Sequence, residues 1–252
     1  MKKVFNSAYP LIGTKHMPAA ANLQQRSPYY YWHAYLKRNA EYLECCANGG
    51  TGRLAELYKD FGDVRSASFR EWWGGKERRG GKLFGETPQV GIQRLSSKDE
   101  WQAAWGSDTV VIAVNMNEAR RKLQKQFATL LQTVPAKKGR KSQRALLNTS
   151  TAKYKLYRNY TTHNLKVMLA VYDAWLENQQ LPKQNRLTNW ELGEKLKLVQ
   201  SAMPEKHDND YDVIDKHNLM SGTVSRMVSR ARLIIANTAN GEFPNSDKPT
   251  SI

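Results

Sequence analysis

The chain has 252 residues, with 39 Lys and Arg against 23 Asp and Glu, and a formal net charge of +16. Its 40% hydrophobic and 25% charged residues exclude a largely disordered polymer. No apolar run, Val110 to Val114 included, approaches the ~20 residues that a helical membrane span needs.

The opening Met1-Lys2-Lys3-Val4-Phe5 lacks the continuous apolar segment of a secretory signal. The only cysteines, Cys45 and Cys46, are adjacent and sit in a helical context, so buried reduced thiols and a cytoplasmic location are expected. No further metal ligands lie close to them, and no cofactor is expected. The expected fold is mainly α (α+β). An N-terminal helical domain with one short β element precedes a C-terminal all-α domain.

Residues 1–26 lack periodicity and read as an irregular arm. Ser27-Pro28 starts a helix, Ser as cap and Pro in the first turn, which runs to Ala47 and stops at Asn48-Gly49-Gly50. Trp32, Tyr35, Leu36, Asn39, Leu43 and Cys46 share its core face. Further helices are expected over Gly52–Tyr58 and Ser66–Trp73. Gly74 to Gly91 carries six glycines with Lys76, Arg78, Arg79 and Lys82, so it reads as turns or a mobile hairpin. A short helix over Arg94–Trp105 follows, with Ser97 as its cap.

Thr109–Val114 (TVVIAV) reads as a strand covered on both sides, because it is β-branched and apolar throughout. A helix from Asn117 to Thr133 should bury Ala119, Leu123, Phe127, Leu130, Leu131 and Val134. The basic, turn-rich segment 135–149 is the expected boundary between an N-terminal domain (27–134) and a C-terminal domain (150–241). A helix over Asn159–Asn178 leads into the C-terminal domain, and residues 242–252 read as a disordered tail.

Charge is segregated. Between Ala119 and Tyr172 stand 13 Lys and Arg and no Asp or Glu. The rest of the chain holds 26 basic and 23 acidic residues, close to balance. Concentrated positive charge repels itself unless a polyanion neutralises it. Nucleic acid is the polyanion of choice, since its phosphates are dense and each Lys or Arg contact releases counterions. Arg120, Arg121, Lys125, Lys137, Lys138, Arg140, Lys141, Arg144, Lys153 and Arg158 are the candidate phosphate contacts.

Residues 187–241 hold a second constellation. Thr188 caps a short helix with Glu191 three residues on as its capping-box partner, and Leu192 and Leu196 face inward. Ser221-Gly222-Thr223 then opens a long helix. Val224, Val228, Ala231 and Ile235 line one side of it, and Thr223, Ser225, Arg226, Ser229, Arg230 and Arg232 project elsewhere. Small hydroxyl side chains and arginines at a helix start suit contact with phosphates and base edges. This pattern resembles the helix-turn-helix DNA-binding proteins of bacterial mobile elements, with about 20 residues (Val199 to Leu219) in place of the short turn. The resemblance implies a regulator or initiator of a phage, plasmid or integrative element, with double-stranded DNA as the favoured partner. The alternative is a non-catalytic subunit of a nucleoprotein complex, for anti-phage defence or transposition, binding RNA or single-stranded DNA. A homodimer or a larger nucleoprotein complex is the expected assembly.

Other motifs fail on spacing. Gly75–Lys82 (GKERRGGK) has neither the phosphate-loop spacing nor a following Ser or Thr. His207–Asp212 alternates oxygen ligands like a calcium loop but has Val213 and Leu219 where the loop needs Gly and Glu. No acidic cluster for metal-dependent nuclease chemistry is visible, so no enzyme is expected and no catalytic residue is assigned. Tyr29, Tyr30, Tyr31 and Trp32 are weighed as a base-stacking platform against a core role, which is the commoner one.

Overall fold

The structure, a computed structural model, describes residues 4–14, 16–86, 112–133, 150–157 and 161–248. It is mainly helical, and among the described residues pairing between extended segments is confined to isolated bridges. Residues 1–87 and 143–252 make one compact unit, and residues 88–142 a second.

Among the described residues six helices precede the second unit: α1 (Ala21–Gln24), α2 (Pro28–Leu36), α3 (Ala40–Ala47), α4 (Ala55–Phe61), α5 (Phe69–Gly74) and α6 (Arg79–Phe84). The helix expected over 27–47 is two helices, and Asn39 is the reason. Its side chain accepts from the Tyr42 backbone N–H at 2.8 Å and so caps α3. Its amide donates to the Ile235 carbonyl at 2.9 Å, near the far end of the chain. An Asn that can cap and reach a distant carbonyl competes well with a continuous helix. Pro28 stands at the first turn of α2 as expected, but the Ser27 hydroxyl caps nothing and is buried. Ser68 and Glu71 form a full capping box at α5.

Nearly all of α2 is buried: Tyr29, Tyr31, Trp32, His33, Ala34, Tyr35 and Leu36. The tyrosines thus take the core role that is the commoner one, and not that of a stacking platform, with only Tyr30 partly exposed. A helix buried all round needs cover on every side. That cover comes from α5 and from two later helices, α8 (Thr162–Gln180) and α10 (Asp210–Thr238). The Tyr35 hydroxyl donates to the Leu165 carbonyl at 3.1 Å, and Arg38 grips Asp173 through two bonds of 2.5 Å. Trp32, Phe61, Trp72, Phe84, Leu165, Ile234 and Phe243 belong to one continuous core.

The expected division at 135–149 is corrected accordingly. Helices before residue 86 and after residue 150 build a single core, and the segment itself lies outside the described residues. The expected tail is corrected over residues 242–248, and residues 249–252 lie outside the described residues. Phe243 is fully buried, its ring 5.3 Å from that of Trp32. The Asn237 amide donates to the carbonyls of Asn245 (3.0 Å) and Asp247 (2.9 Å). Gly241, at φ +75°, turns the chain after α10, the capping role expected of Asn240-Gly241.

The N-terminal arm is irregular, as expected, yet docked. Phe5 packs on Tyr29 and Trp73, and Val4 pairs with Glu86. The glycine-rich stretch contains α6, where Gly80 is buried under Trp73. A Cβ on Gly80 would lie 2.3 Å from the Trp73 ring, so this glycine permits close packing and not motion. Cys45 and Cys46 are free and buried, and burial pushes both thiols above their ordinary pKa.

The helix expected over 94–105 lies outside the described residues, as do Thr109–Val111. Ile112 to Val114 are exposed and form no strand, so the expected covered strand does not extend to them.

Candidate nucleic-acid interface

In the second unit, α7 (Arg120–Thr133) is built from strong helix formers. Leu123, Phe127 and Leu130 recur at helical spacing and are half-buried, whereas Ala119 and Leu131 are exposed. The expected buried face is thus narrower and shallower than the sequence suggests, and none of its described residues is fully buried. Arg121 and Lys125, four residues apart, share the opposite face. Arg120, Arg121 and Lys125 are exposed and make no ion pair among the described residues. Lys122 does, with Glu118 at 2.8 Å. Two arginines at the positive end of a helix dipole repel it, a strain that a phosphate would relieve.

Elsewhere in the basic tract, Lys155 and Lys166 are exposed. Lys153 is neutralised: its Nζ lies 2.6 Å from the Asp60 carboxylate, which also accepts from the Tyr154 hydroxyl at 2.7 Å. Lys137, Lys138, Arg140, Lys141, Arg144 and Arg158 lie outside the described residues.

The structure joins the two ends of the insertion through Glu86, a residue the sequence reading passes over. Glu86 is buried. Its carboxylate accepts from Asn6 Nδ2 (2.7 Å), Ser150 Oγ (2.5 Å), and the Thr151 (2.6 Å) and Ala152 (3.1 Å) backbone N–H groups. Burial alone would raise its pKa, and these bonds outweigh that and lower it. A lone Glu after a glycine offers no local signal of this role, since every partner but its own backbone is remote.

The C-terminal helices come next. Thr188 and Glu191 form the expected capping box on α9 (Asn189–Lys195). Leu192 is buried and Leu196 partly so, and both pack with Val171, Val224 and Val228 in a second small core. Gly193 lets α9 lie close on α10, since a Cβ there would come 2.4 Å from Met220 Cγ. Trp190 stacks on His217 with ring centroids 3.8 Å apart. Val224, Val228, Ala231 and Ile235 are buried, as expected of the inward side.

The helix start is corrected. α10 begins at Asp210, capped by Asn209 with Asp212 as its capping-box partner, so Ser221–Arg232 lies in the middle of a 29-residue helix. An Asn-x-x-Asp signature stands at 209–212, inside the segment whose alternating oxygens fail as a calcium loop. In the structure Asn209 is a cap and Asp208 accepts from Lys216 Nζ at 2.6 Å. No cluster of three or more potential ligands occurs among the described residues.

The candidate base-reading side chains are placed as follows. Ser225, Arg226, Ser229, Arg230 and Arg232 are exposed, and Thr223 is partly so. The Thr223 hydroxyl bonds back to the Leu219 carbonyl (2.8 Å) and accepts from Arg226 (3.2 Å). Ser225 Oγ accepts from Asn189 Nδ2 at 3.1 Å, and the Arg232 guanidinium lies over the Trp175 ring at 4.3 Å. Three helical turns precede them and carry Asp210, Asp212 and Asp215. In a groove those carboxylates would stand among phosphates, so a mid-helix position suits base readout poorly.

No helix among the described residues is long and apolar enough to cross a membrane. No family model, curated protein or solved structure matches the chain.

Proposed function

We propose that this is a nucleic-acid-binding protein, not an enzyme, that grips the phosphate backbone through the basic tract 119–172, with double-stranded DNA as the favoured form. The observation that carries the reading is the run of 13 Lys and Arg without a single acid. Exposed Arg120, Arg121 and Lys125 on α7 support it, because internal ion pairing does not consume them among the described residues. Lys137, Lys138, Arg140, Lys141, Arg144 and Arg158 complete the positive field. Contacts of this kind position a protein on a duplex and carry no sequence information. Following the C-terminal resemblance, the setting is a DNA-binding regulator or initiator of a bacterial mobile element.

One observation favours the second reading, a non-catalytic subunit of a nucleoprotein complex. The first half of α10 exposes Tyr211, Ile214 and Leu219, and such a stripe suits contact with protein better than contact with water. Both readings share the phosphate grip.

The test is the salt dependence of binding to duplex, single-stranded DNA and RNA probes. A log–log slope of roughly −4 to −8 is expected on the preferred form. A slope near zero on all three refutes the proposal, and the probe bound most tightly distinguishes the two settings.

A further inference from the structure

The exposed face of α10 is patterned along its length. Tyr211 is 82% exposed and Ile214 55% exposed, both in the first half. In the second half the same face carries Gly222, Ser225 and Ser229, and then Arg232, whose guanidinium lies over Trp175. Positions 211, 214, 218, 222, 225 and 229 are spaced by three or four, so they form one stripe along the helix. Large side chains thus occupy one half and small ones the other.

Charge follows the same division. Asp212 and Asp215 flank the stripe in the first half, and Arg226 and Arg230 flank it on the same side in the second. The other cation of the first half, Lys216, is held by Asp208, and the third arginine of the second half, Arg232, lies over Trp175. The flanking charges left exposed are therefore negative first and positive second.

We infer that this face pairs with the same face of a second copy of the chain, the two α10 helices running antiparallel. The pattern is close to symmetric about Met220. Tyr211 stands nine residues before it and Ser229 nine after; Asn218 stands two before and Gly222 two after. In an antiparallel pair Tyr211 and Ile214 of each copy pack over the small residues of the other, where the helices approach closely. Residues on one flank meet the same flank of the partner helix, which sets Asp215 against Arg226 and Asp212 against Arg230. A parallel pair would instead bring this flank against the opposite flank of the partner at the same height, and the aspartates and arginines would lose each other as partners. The arrangement is isologous, as a two-fold dimer requires. It also accounts for two of the three carboxylates upstream of Ser221, Asp212 and Asp215, which contact with a polyanion leaves unexplained.

The experiment is sedimentation velocity on the full chain, freed of nucleic acid, at physiological ionic strength over a wide concentration range. A dimer of the 28.8 kDa chain is expected. Asp215→Arg and Arg226→Asp should each weaken self-association by at least about tenfold, the scale of a close charge pair at an interface. The double variant Asp215→Arg/Arg226→Asp should restore it. All these positions are exposed, so circular dichroism should show unchanged helix content in every variant. A wild-type chain that stays monomeric at the highest concentration overturns the inference and leaves the face to a different protein. A dimer indifferent to both single reversals, or a double variant that fails to recover, overturns it equally. Nucleic-acid binding is measured separately, so failure here leaves the phosphate grip untouched.

Discussion

Glu86 and Ser150 are 64 positions apart in sequence, and their carboxylate and hydroxyl oxygens are 2.5 Å apart in space. The contact closes the base of the insertion and draws in the N-terminal arm through Asn6. Glu86→Ala leaves the donors of Asn6, Ser150, Thr151 and Ala152 without their acceptor. The expected cost is about 3 kcal/mol, within the range for breaking hydrogen bonds to a buried charge. Urea denaturation with a fluorescence readout checks it, and a loss below ~1 kcal/mol would mean that water replaces the carboxylate.

His33 gives the fold a dependence on pH. It is buried beside Phe69 and Trp72, and its Nε2 has no hydrogen-bond partner among the described residues. Burial, with Lys37 adding to it, lowers its pKa to about 3 from an ordinary 6.5. The unfolded chain therefore binds the proton first as pH falls. Stability is complete above 6.5 and declines between 6.5 and 3, by up to about 1.4 kcal/mol per pH unit. His33→Phe should flatten the dependence between pH 7.5 and 5, a window in which carboxylates contribute little. Parallel pH profiles for the two proteins would count against the assignment.

Two adjacent glycines in α6 should respond with opposite sign. Gly80→Ala drives a methyl into the Trp73 ring and should cost about 1–3 kcal/mol through overpacking. At Gly81 a new Cβ meets nothing within 4 Å. Gly81→Ala should stabilise the helix by up to about 1 kcal/mol. Melting temperatures of the two variants decide the matter, and a shift of the same sign in both would remove the packing argument.

The basic residues should divide by whether an acid already holds them. Changing Lys137, Lys138, Arg140 and Lys141 to Ala, or Arg121 and Lys125 to Ala, should weaken binding about equally on every sequence and leave the melting temperature unchanged. Lys153→Ala should matter much less, because Asp60 already neutralises this lysine. Competition binding with random duplexes provides the comparison. If Lys153→Ala proved as damaging as the clustered changes, the ion pair would have to open on binding.

Arg226→Ala offers a direct test between base readout and the protein contact inferred for α10. A base contact would lose roughly 1–3 kcal/mol on a preferred site and far less on random DNA. The structure, with Arg226 in the middle of a long helix behind three aspartates, leads us to expect no difference between the probes. A selective loss would return this helix to the groove.

Local chemistry was legible in the chain alone. The capping box at Thr188 joins residues three apart, so no tertiary partner is needed to specify it, and the one at Ser68, which the sequence reading passes over, is of the same local kind. The inward side of α10 at Val224, Val228, Ala231 and Ile235 follows from helical period, and the charge segregation over 119–172 is composition itself. Long-range relations were not legible. Asn39 breaks a helix partly because its amide reaches Ile235, and Phe243 belongs to the core because Trp32 and Tyr35 wait for it. A helix period reveals one apolar face, but α2 is buried on all sides, and that demand is met only when α8 and α10 close over it. For the same reason a basic, turn-rich segment looks like a boundary between domains, whereas the helices before Glu86 and those after Ser150 share one core. Short-range hydrogen bonds and periodicity are properties of sequence, whereas burial depends on which distant surfaces meet, and the tertiary fold alone decides that.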